Sequence, residues 1–396
     1  MEKCILCNNV TEVAIKIPDI YKSGFVNYGF DYNKITKSSL SLNKCVDCGF
    51  IQLDNFLNQD ELYREYFYRS SVNNTMVECL QDIVDSIELI KGPRIFSVLD
   101  IGCNDGTLLS LYKDKTIFKV GCDPATNLQT KNCDVFHNTY FDSNLKAGRF
   151  DVITSIAMFY DVLNPRDFVG AIRDALNDDG IWVMQMTDLT CMMQINAYDN
   201  ICHEHIGYYT LKNFCQLCKD CGLEVFKVEY NNTNGRSVRC YVKKQSSTRK
   251  VTVSVKDSLE SEELFFLMNP VEKYGEKIVE TVENLNNHII NSKKSIYCLG
   301  ASTKGNTLLQ LLSRDAKNRI ISCGEIDKEK LNKYTIGTNI PIIPEDKLFK
   351  DSPPEQTEIL ILPWHYKEFF RKKFEWWLEA GGTFTIPCPT VYQITK

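Results

Sequence analysis

The chain predicts an α/β protein in three parts: a small cysteine-bearing N-terminal domain, a central block of alternating strands and helices, and a smaller C-terminal α/β block. Three observations predict it. Two Cys-x-x-Cys pairs, Cys4/Cys7 and Cys45/Cys48, bracket an aromatic, Asn-rich stretch with no strong hydrophobic period. Short apolar runs at 95–101, 118–122, 152–156 and 181–186 alternate with helical segments, the pattern of a parallel sheet covered by helices. The alternation returns near the end, with apolar runs at 295–299, 320–324 and 358–362 and a helix over 367–380.

The chain has 396 residues. One core seldom serves more than roughly 100 to 200 residues, so two or three domains are expected. The divisions read as 1–75, 76–250, a connecting helix over 251–292, and 293–396. The connecting helix is suggested by Leu264, Met268, Val271, Tyr274, Ile278 and Val282, about one turn apart. Hydrophobic residues make up 43% and charged residues 24%, the balance of a globular protein rather than a disordered or membrane one. No run approaches the roughly 18 to 20 apolar residues of a spanning helix, and Met1-Glu2-Lys3-Cys4 has no export character, so a cytoplasmic location without a membrane partner is expected. The net charge of −5 argues against a nucleic-acid partner.

The two cysteine pairs can supply four thiolates to a tetrahedral ion, and zinc suits an all-sulfur site. Such a site has no vacancy for water, so Cys4, Cys7, Cys45 and Cys48 are expected to hold structural zinc; four free thiols sharing this spacing are the alternative. Of the other cysteines among the 17, most sit singly in apolar stretches and read as reduced core residues. Cys215, Cys218 and Cys221 share one face of a helix over 212–221 that stops at Gly222, which reads as core packing.

Val98-Leu99-Asp100-Ile101-Gly102-Cys103-Asn104-Asp105-Gly106 is an apolar strand entering a glycine-rich turn, and Thr107-Leu108-Leu109 opens a helix. Glycines at 102 and 106 let the backbone approach a ligand, and a helix start favours an anionic group. Asp123, in Val120-Gly121-Cys122-Asp123-Pro124, ends the next strand, where a carboxylate can accept both ribose hydroxyls. A nicotinamide-binding fold is the rival, but the Gly-x-Gly-x-x-Gly order is absent. The spacings resemble class I (Rossmann-like) methyltransferases, with Phe150-Asp151-Val152-Ile153 as the fourth strand. That resemblance implies S-adenosylmethionine as cofactor. It further implies that Asp100, Gly102, Asn104 and Gly106 shape the methionine end, that Asp123 contacts the ribose, that Ala157, Met158 and Phe159 line the sulfonium side, and that Asn138 neighbours the adenine.

Cys202-His203-Glu204-His205 places two of only five histidines around a glutamate. Histidine offers a general base near working pH with little tuning, and Glu204 can orient it; a structural, hydrogen-bonded pair is the competing reading. The spacing is not His-Glu-x-x-His, which argues against a protease-type metal site. Further along, Gly300-Ala301-Ser302-Thr303-Lys304-Gly305-Asn306 follows a strand and precedes a helix, so its amides and Lys304 could hold a diphosphate, or it is a plain strand-to-helix turn. His365 follows the strand at 358–362 and could meet the same ligand, with packing as the equal competitor.

These motifs, with Tyr208-Tyr209, Asn234-Gly235-Arg236-Ser237 and Pro363-Trp364-His365-Tyr366, occur in one order that resembles the three-domain zinc-containing sugar C-methyltransferase family over nearly the whole chain. The resemblance implies a C-terminal Rossmann-like domain that binds substrate, and a reaction on nucleotide-linked keto-deoxysugars through an enolate. It assigns His205 as base with Glu204 in support and His203 beside them, and Tyr66 and Tyr68 of Tyr66-Phe67-Tyr68-Arg69-Ser70-Ser71 on the substrate side, where interdomain packing is the alternative. Tyr208, Arg236, Lys304 and His365 are the remaining substrate candidates. The chain departs from the family at Cys202, where a tyrosine is usual, and at Asp161, where a histidine is usual. The expected activity is therefore C-methylation of a nucleotide-activated keto sugar. The alternatives are O-methylation of a sugar or small metabolite and a non-catalytic protein that binds the cofactor or a nucleotide sugar. The oligomeric state is left open.

Overall fold

The computed structural model describes residues 3–396 except 67, 73, 129, 131, 146 and 147, so Phe67 of the aromatic motif lies outside the described residues. Its first sheet is antiparallel and joins, in order, Thr11–Ile15, Leu42–Cys45, Ile51–Leu53 and Gly207–Tyr208. The sequence shows no strong period over 1–75 because these strands are two to five residues long, too short for an alternation to register. The fourth strand comes from far along the chain, directly after the His-Glu-His run.

The central sheet has seven strands: β1 (Ser97–Ile101), β2 (Phe118–Cys122), β3 (Val135–His137), β4 (Phe150–Ile156), β5 (Leu176–Met186), β6 (Leu223–Asn231) and β7 (Ser237–Lys244). Their order is β6-β7-β5-β4-β1-β2-β3, with β1 to β5 parallel and β7 antiparallel to both neighbours. The order reverses beside β1, which opens a crevice at the carboxyl ends of β1 and β4. The helix Asn74–Lys91 covers one face through Leu80, Ile83, Val84 and Ile87. On the other face Leu211–Asp220 buries Phe214, Leu217 and Cys218, with Cys215 and Cys221 packed at the edge of the same core. β5 begins five residues before the predicted run, because Asn177-Asp178-Asp179-Gly180 hides its extended start behind turn-forming residues.

The connecting segment is two helices, Val253–Phe266 and Pro270–Asn291. Pro270 cannot donate to the preceding turn and Asn269 adopts φ +48°, so one continuous helix is interrupted there. The first helix buries Glu262, whose carboxylate accepts from the amides of Leu211 at 2.8 Å and Lys212 at 2.9 Å and so caps the Leu211–Asp220 helix. The second lays Tyr274, Ile278, Leu285 and Ile289 into a core shared by the N-terminal and C-terminal parts.

The last sheet runs Ile342–Pro344, Ile320–Glu325, Ser295–Leu299, Thr357–Ile361, Thr383–Ile386 and Tyr392–Ile394. All pairs are parallel except the final one, and the order again reverses at its first strand, Ser295–Leu299. The helix expected over 367–380 is two short ones, Lys367–Lys373 and Glu375–Glu379, divided at Phe374 where φ is −118° and ψ 30°. Phe25–Val26 pairs with Tyr334–Thr335 and ties the N-terminal part to this sheet. Among the described residues, no helix is long and apolar enough to cross a membrane.

Candidate active site

The loops at the two reversal points meet over one cavity of about 820 Å3. Residues 100–104 and 156–158 reach it from the central sheet, Ser302, Thr303, Lys304, Pro363 and His365 from the C-terminal sheet, and Glu204 and His205 from the segment between.

On the central side, the amides of Gly102 and Cys103 bond the Cys122 carbonyl and fold the chain back after β1. Gly102 has φ +68°, and a Cβ there would stand 3.0 Å from Met158 Cγ. This glycine is required both by its conformation and by the close approach. Asp123 accepts from the amide of Asn104 through Oδ2 and from that of Ala125 through Oδ1, both at 2.9 Å. Burial pushes this carboxyl up, while those two amides and Arg69 hold it down. Asp100 accepts from Thr154 Oγ1 at 2.6 Å, and burial, with the charge of Asp123 adding, raises it to about 7. Ala157 takes φ +54° at the end of β4, an uncommon conformation for a residue with a Cβ, and its amide bonds the Gln185 carbonyl at 2.7 Å. The segment carrying Tyr66 and Tyr68 is tied to this turn: Asn104 donates to the Tyr68 carbonyl at 3.1 Å and accepts from the Ser70 amide at 3.0 Å.

Across the cavity, His205 bonds the Asn200 carbonyl through Nδ1 at 2.8 Å. A carbonyl can only accept, so Nδ1 carries the proton and Nε2 keeps its lone pair. The Tyr160 ring lies 4.0 Å from the imidazole, centroid to centroid, and fixes its plane. Burial, reinforced by the Lys304 ammonium, lowers His205 to about 3, so the ring is neutral at physiological pH. Asn200 also accepts Lys304 Nζ on its side-chain oxygen, so one residue positions both the imidazole and the lysine. Tyr63 donates to the Glu204 carbonyl at 2.9 Å. His365 faces the cavity with Nδ1 buried and unbonded, and burial with Lys304 lowers it to about 3.

Two family descriptions match, and they meet near residue 230, inside the central sheet rather than at its end. "C-methyltransferase C-terminal domain" matches residues 232–389 and "Methyltransferase domain" matches residues 61–228. The C-methyltransferase NovU of Streptomyces niveus is 23% identical over 360 residues, spanning 87% of this chain and 85% of its own. Both descriptions are of methyltransferases, and the chain is similar to C-methyltransferases in its C-terminal part. It is a methyltransferase. Among solved structures, the plantazolicin methyltransferase BpumL in complex with SAH superposes with a TM-score of 0.34 at 15% identity, over 42% of this chain and 82% of that one. An S-adenosylmethionine-dependent methyltransferase from Clostridium acetobutylicum gives 0.33 at 11% identity, over 42% of this chain and 91% of that one.

The methyltransferase brings Asp100, Gly102, Asn104, Asp123, Ala157, Met158, Tyr66, Tyr68, Glu204, His205, Lys304 and His365 to the cavity wall. Other candidates stand back from it. His203 turns away and bonds the Ser38 carbonyl at 3.3 Å, because residues 202–205 fold as a turn, closed by the His205 amide on the Cys202 carbonyl at 3.1 Å, which swings the two imidazoles apart. Phe159 is fully buried against Trp182, Tyr209 and Phe214. Asn138 supports the carbonyls of Asp123 and Ala125 at 2.9 Å each, and Gly106 packs its turn against Thr130. Tyr208 is buried in the first sheet. Arg236 bonds Gln194 at 2.9 Å, and within its motif Asn234 is the residue on the cavity wall. Sequence reasoning missed Tyr63, Tyr160 and Asn200. Tyr63 stands three residues before Tyr66, a helical spacing that could have found it; Asn200 and Tyr160 act through tertiary contacts without a motif.

The four thiols of the methyltransferase's N-terminal part lie within 4.8 Å of one another, with Cys4 and Cys48 at 3.6 Å and Cys7 and Cys45 at 3.4 Å. Tetrahedral zinc with bonds of about 2.3 Å would set its sulfurs roughly 3.8 Å apart, so the donor set fits. Each pair closes by the same turn, with the amides of Asn8 and Gly49 bonding back to Cys4 and Cys45 at 2.8 and 3.1 Å. Asn8 and Gly49 have φ +63° and +70°.

Proposed function

We propose that this enzyme methylates a carbon of a nucleotide-activated keto sugar in the cytoplasm, and that Cys4, Cys7, Cys45 and Cys48 hold structural zinc. One observation carries the reading: two reversal-point crevices open on a single cavity, with the free Nε2 of a neutral histidine between them. The central crevice takes the cofactor, with Asp123 at the ribose and the Gly102 bend at the methionine end. S-adenosylmethionine, when bound, supplies an electrophilic methyl group on its sulfonium.

The C-terminal crevice takes the nucleotide sugar, with Lys304 and the start of the helix Thr303–Leu311 toward its phosphates. An anion there offsets the ammonium that depresses His205 and makes the imidazole a stronger base on substrate binding. His205 Nε2 then takes the proton from the carbon beside the ketone, that bond's electron pair becomes the enolate double bond, and the carbonyl pair moves onto oxygen. Tyr66 and Tyr68 close the cavity from the side and exclude water.

Mass spectrometry of nucleotide keto sugars incubated with enzyme and donor tests the assignment. A gain of one methylene on a keto sugar is expected, and no gain across the panel contradicts it. The same gain on a hydroxyl oxygen would identify an O-methyltransferase instead.

A further inference from the structure

Beside the base, the cavity wall holds a carboxyl without a role so far. Asp161 closes the turn Phe159–Asp161, next to the Tyr160 whose ring packs at a tilt against His205. Its Oδ1 is buried without a hydrogen-bond partner, and so is Oε2 of Glu204. Both residues line the cavity. The titratable and charged groups facing the two are Tyr63 and Tyr66 from the aromatic segment, Tyr160 from the turn itself, Cys202 and Tyr208 from the histidine segment, Lys304 from the C-terminal side and Lys22 from the N-terminal part. The tyrosines and the thiol are neutral at physiological pH, and burial pushes each of them further up. Lys304 already serves the side chain of Asn200.

Two ionised carboxylates in a half-dry wall would repel, and each would leave an oxygen unsatisfied. A proton on Asp161 removes the repulsion and gives its carboxyl a hydrogen to donate. Burial and the charge of Glu204 push Asp161 well above the usual carboxylate range, and burial raises Glu204 too. The enolate reading also needs a donor for the oxygen on which charge develops. Cys202 is a weak one, whereas a neutral carboxyl in a poorly solvated site is a strong one.

Resting on the C-methylation reading, we propose that Asp161 and Glu204 share one proton, and that Asp161 carries it as a neutral carboxyl that donates a hydrogen bond to the substrate oxyanion as His205 removes the carbon-bound proton. The shared proton stays on Asp161 throughout; the proton lost by the substrate goes to His205 Nε2.

Infrared difference spectroscopy of the folded enzyme without substrate tests the proton. At pH 7 the wild-type spectrum minus that of Asp161→Asn should show the carbonyl stretch of a protonated carboxyl, any contribution of Asp100 being common to both and cancelling; a difference spectrum without that band overturns the proposal. Turnover tests the donor. Asp161→Ala should lower kcat by roughly 10²- to 10³-fold, as loss of an oxyanion donor does, with KM changed by less than about threefold. Asp161→Asn keeps an N–H donor and should stay within about tenfold of wild type. If Asp161→Ala fails to fold, the comparison of Asp161→Asn with Asp161→Leu replaces it. Alanine or leucine variants that turn over at the wild-type rate overturn the proposal. Absence of the band removes the shared proton and leaves C-methylation standing, whereas a wild type that shows the band but methylates oxygen removes the C-methylation reading and the oxyanion role with it.

Discussion

His205 owes its chemistry to two neighbours that the linear sequence keeps far apart. The Asn200 carbonyl fixes the proton on Nδ1, and Lys304, a hundred residues further on, adds to the burial that lowers the ring to about 3. In the proposed mechanism the free enzyme therefore loses its base only as pH falls toward 3, so kcat/KM should show no acid limb near 6.5, where an ordinary histidine titrates. Lys304→Met removes a charge that disfavours protonation, so the limb should move to higher pH. A wild-type limb near 6.5 that Lys304→Met leaves in place would contradict this account. His205→Asn should lower turnover by roughly 10²- to 10⁴-fold while calorimetry shows unchanged affinity for S-adenosylhomocysteine. At this scale the sequence marked His205, Glu204, Asp123 and Lys304. Residue chemistry alone does not separate His205 from His203; the family resemblance favoured His205, and the fold is what brings His205 rather than His203 to the cavity.

The elements were legible where they are long and apolar. The strand cores of both parallel sheets follow the predicted runs, because a buried parallel strand shows as an uninterrupted apolar stretch. Three features were not legible: the strands of the first sheet, the break before Pro270, and the loan of Gly207–Tyr208 to a distant sheet. Gly235 illustrates how elements aim a site. It has φ +86°, and a Cβ there would stand 2.9 Å from the Trp364 ring. Trp364 donates to the buried Asp199 at 2.8 Å and precedes His365. Gly235→Ala should cost about 1–3 kcal/mol, combining the left-handed strain with the clash, and thermal unfolding should report a lower Tm. An unchanged Tm would show that the Asn234-Gly235 turn does not brace Trp364.

For the whole molecule, the four thiols and the base are mechanically linked although the thiols lie outside the cavity. The second cysteine pair leads into Ile51–Leu53, that strand pairs with Gly207–Tyr208, and the Leu53 amide bonds the Ile206 carbonyl at 3.0 Å. His205 is the next residue back. Purified enzyme should contain about one zinc per chain, the capacity of a four-thiolate site. Removing the metal with a chelator, or making Cys48→Ser, should lower Tm and abolish turnover together. Metal-free protein that keeps both would break the link.

The account stands most directly on proton removal from carbon by His205. Wild-type enzyme held with a nucleotide keto sugar in deuterated water, without the methyl donor, should wash deuterium into the carbon beside the ketone, and His205→Asn should not. Methylation by the wild type with no deuterium uptake, or uptake equal in His205→Asn, would contradict it.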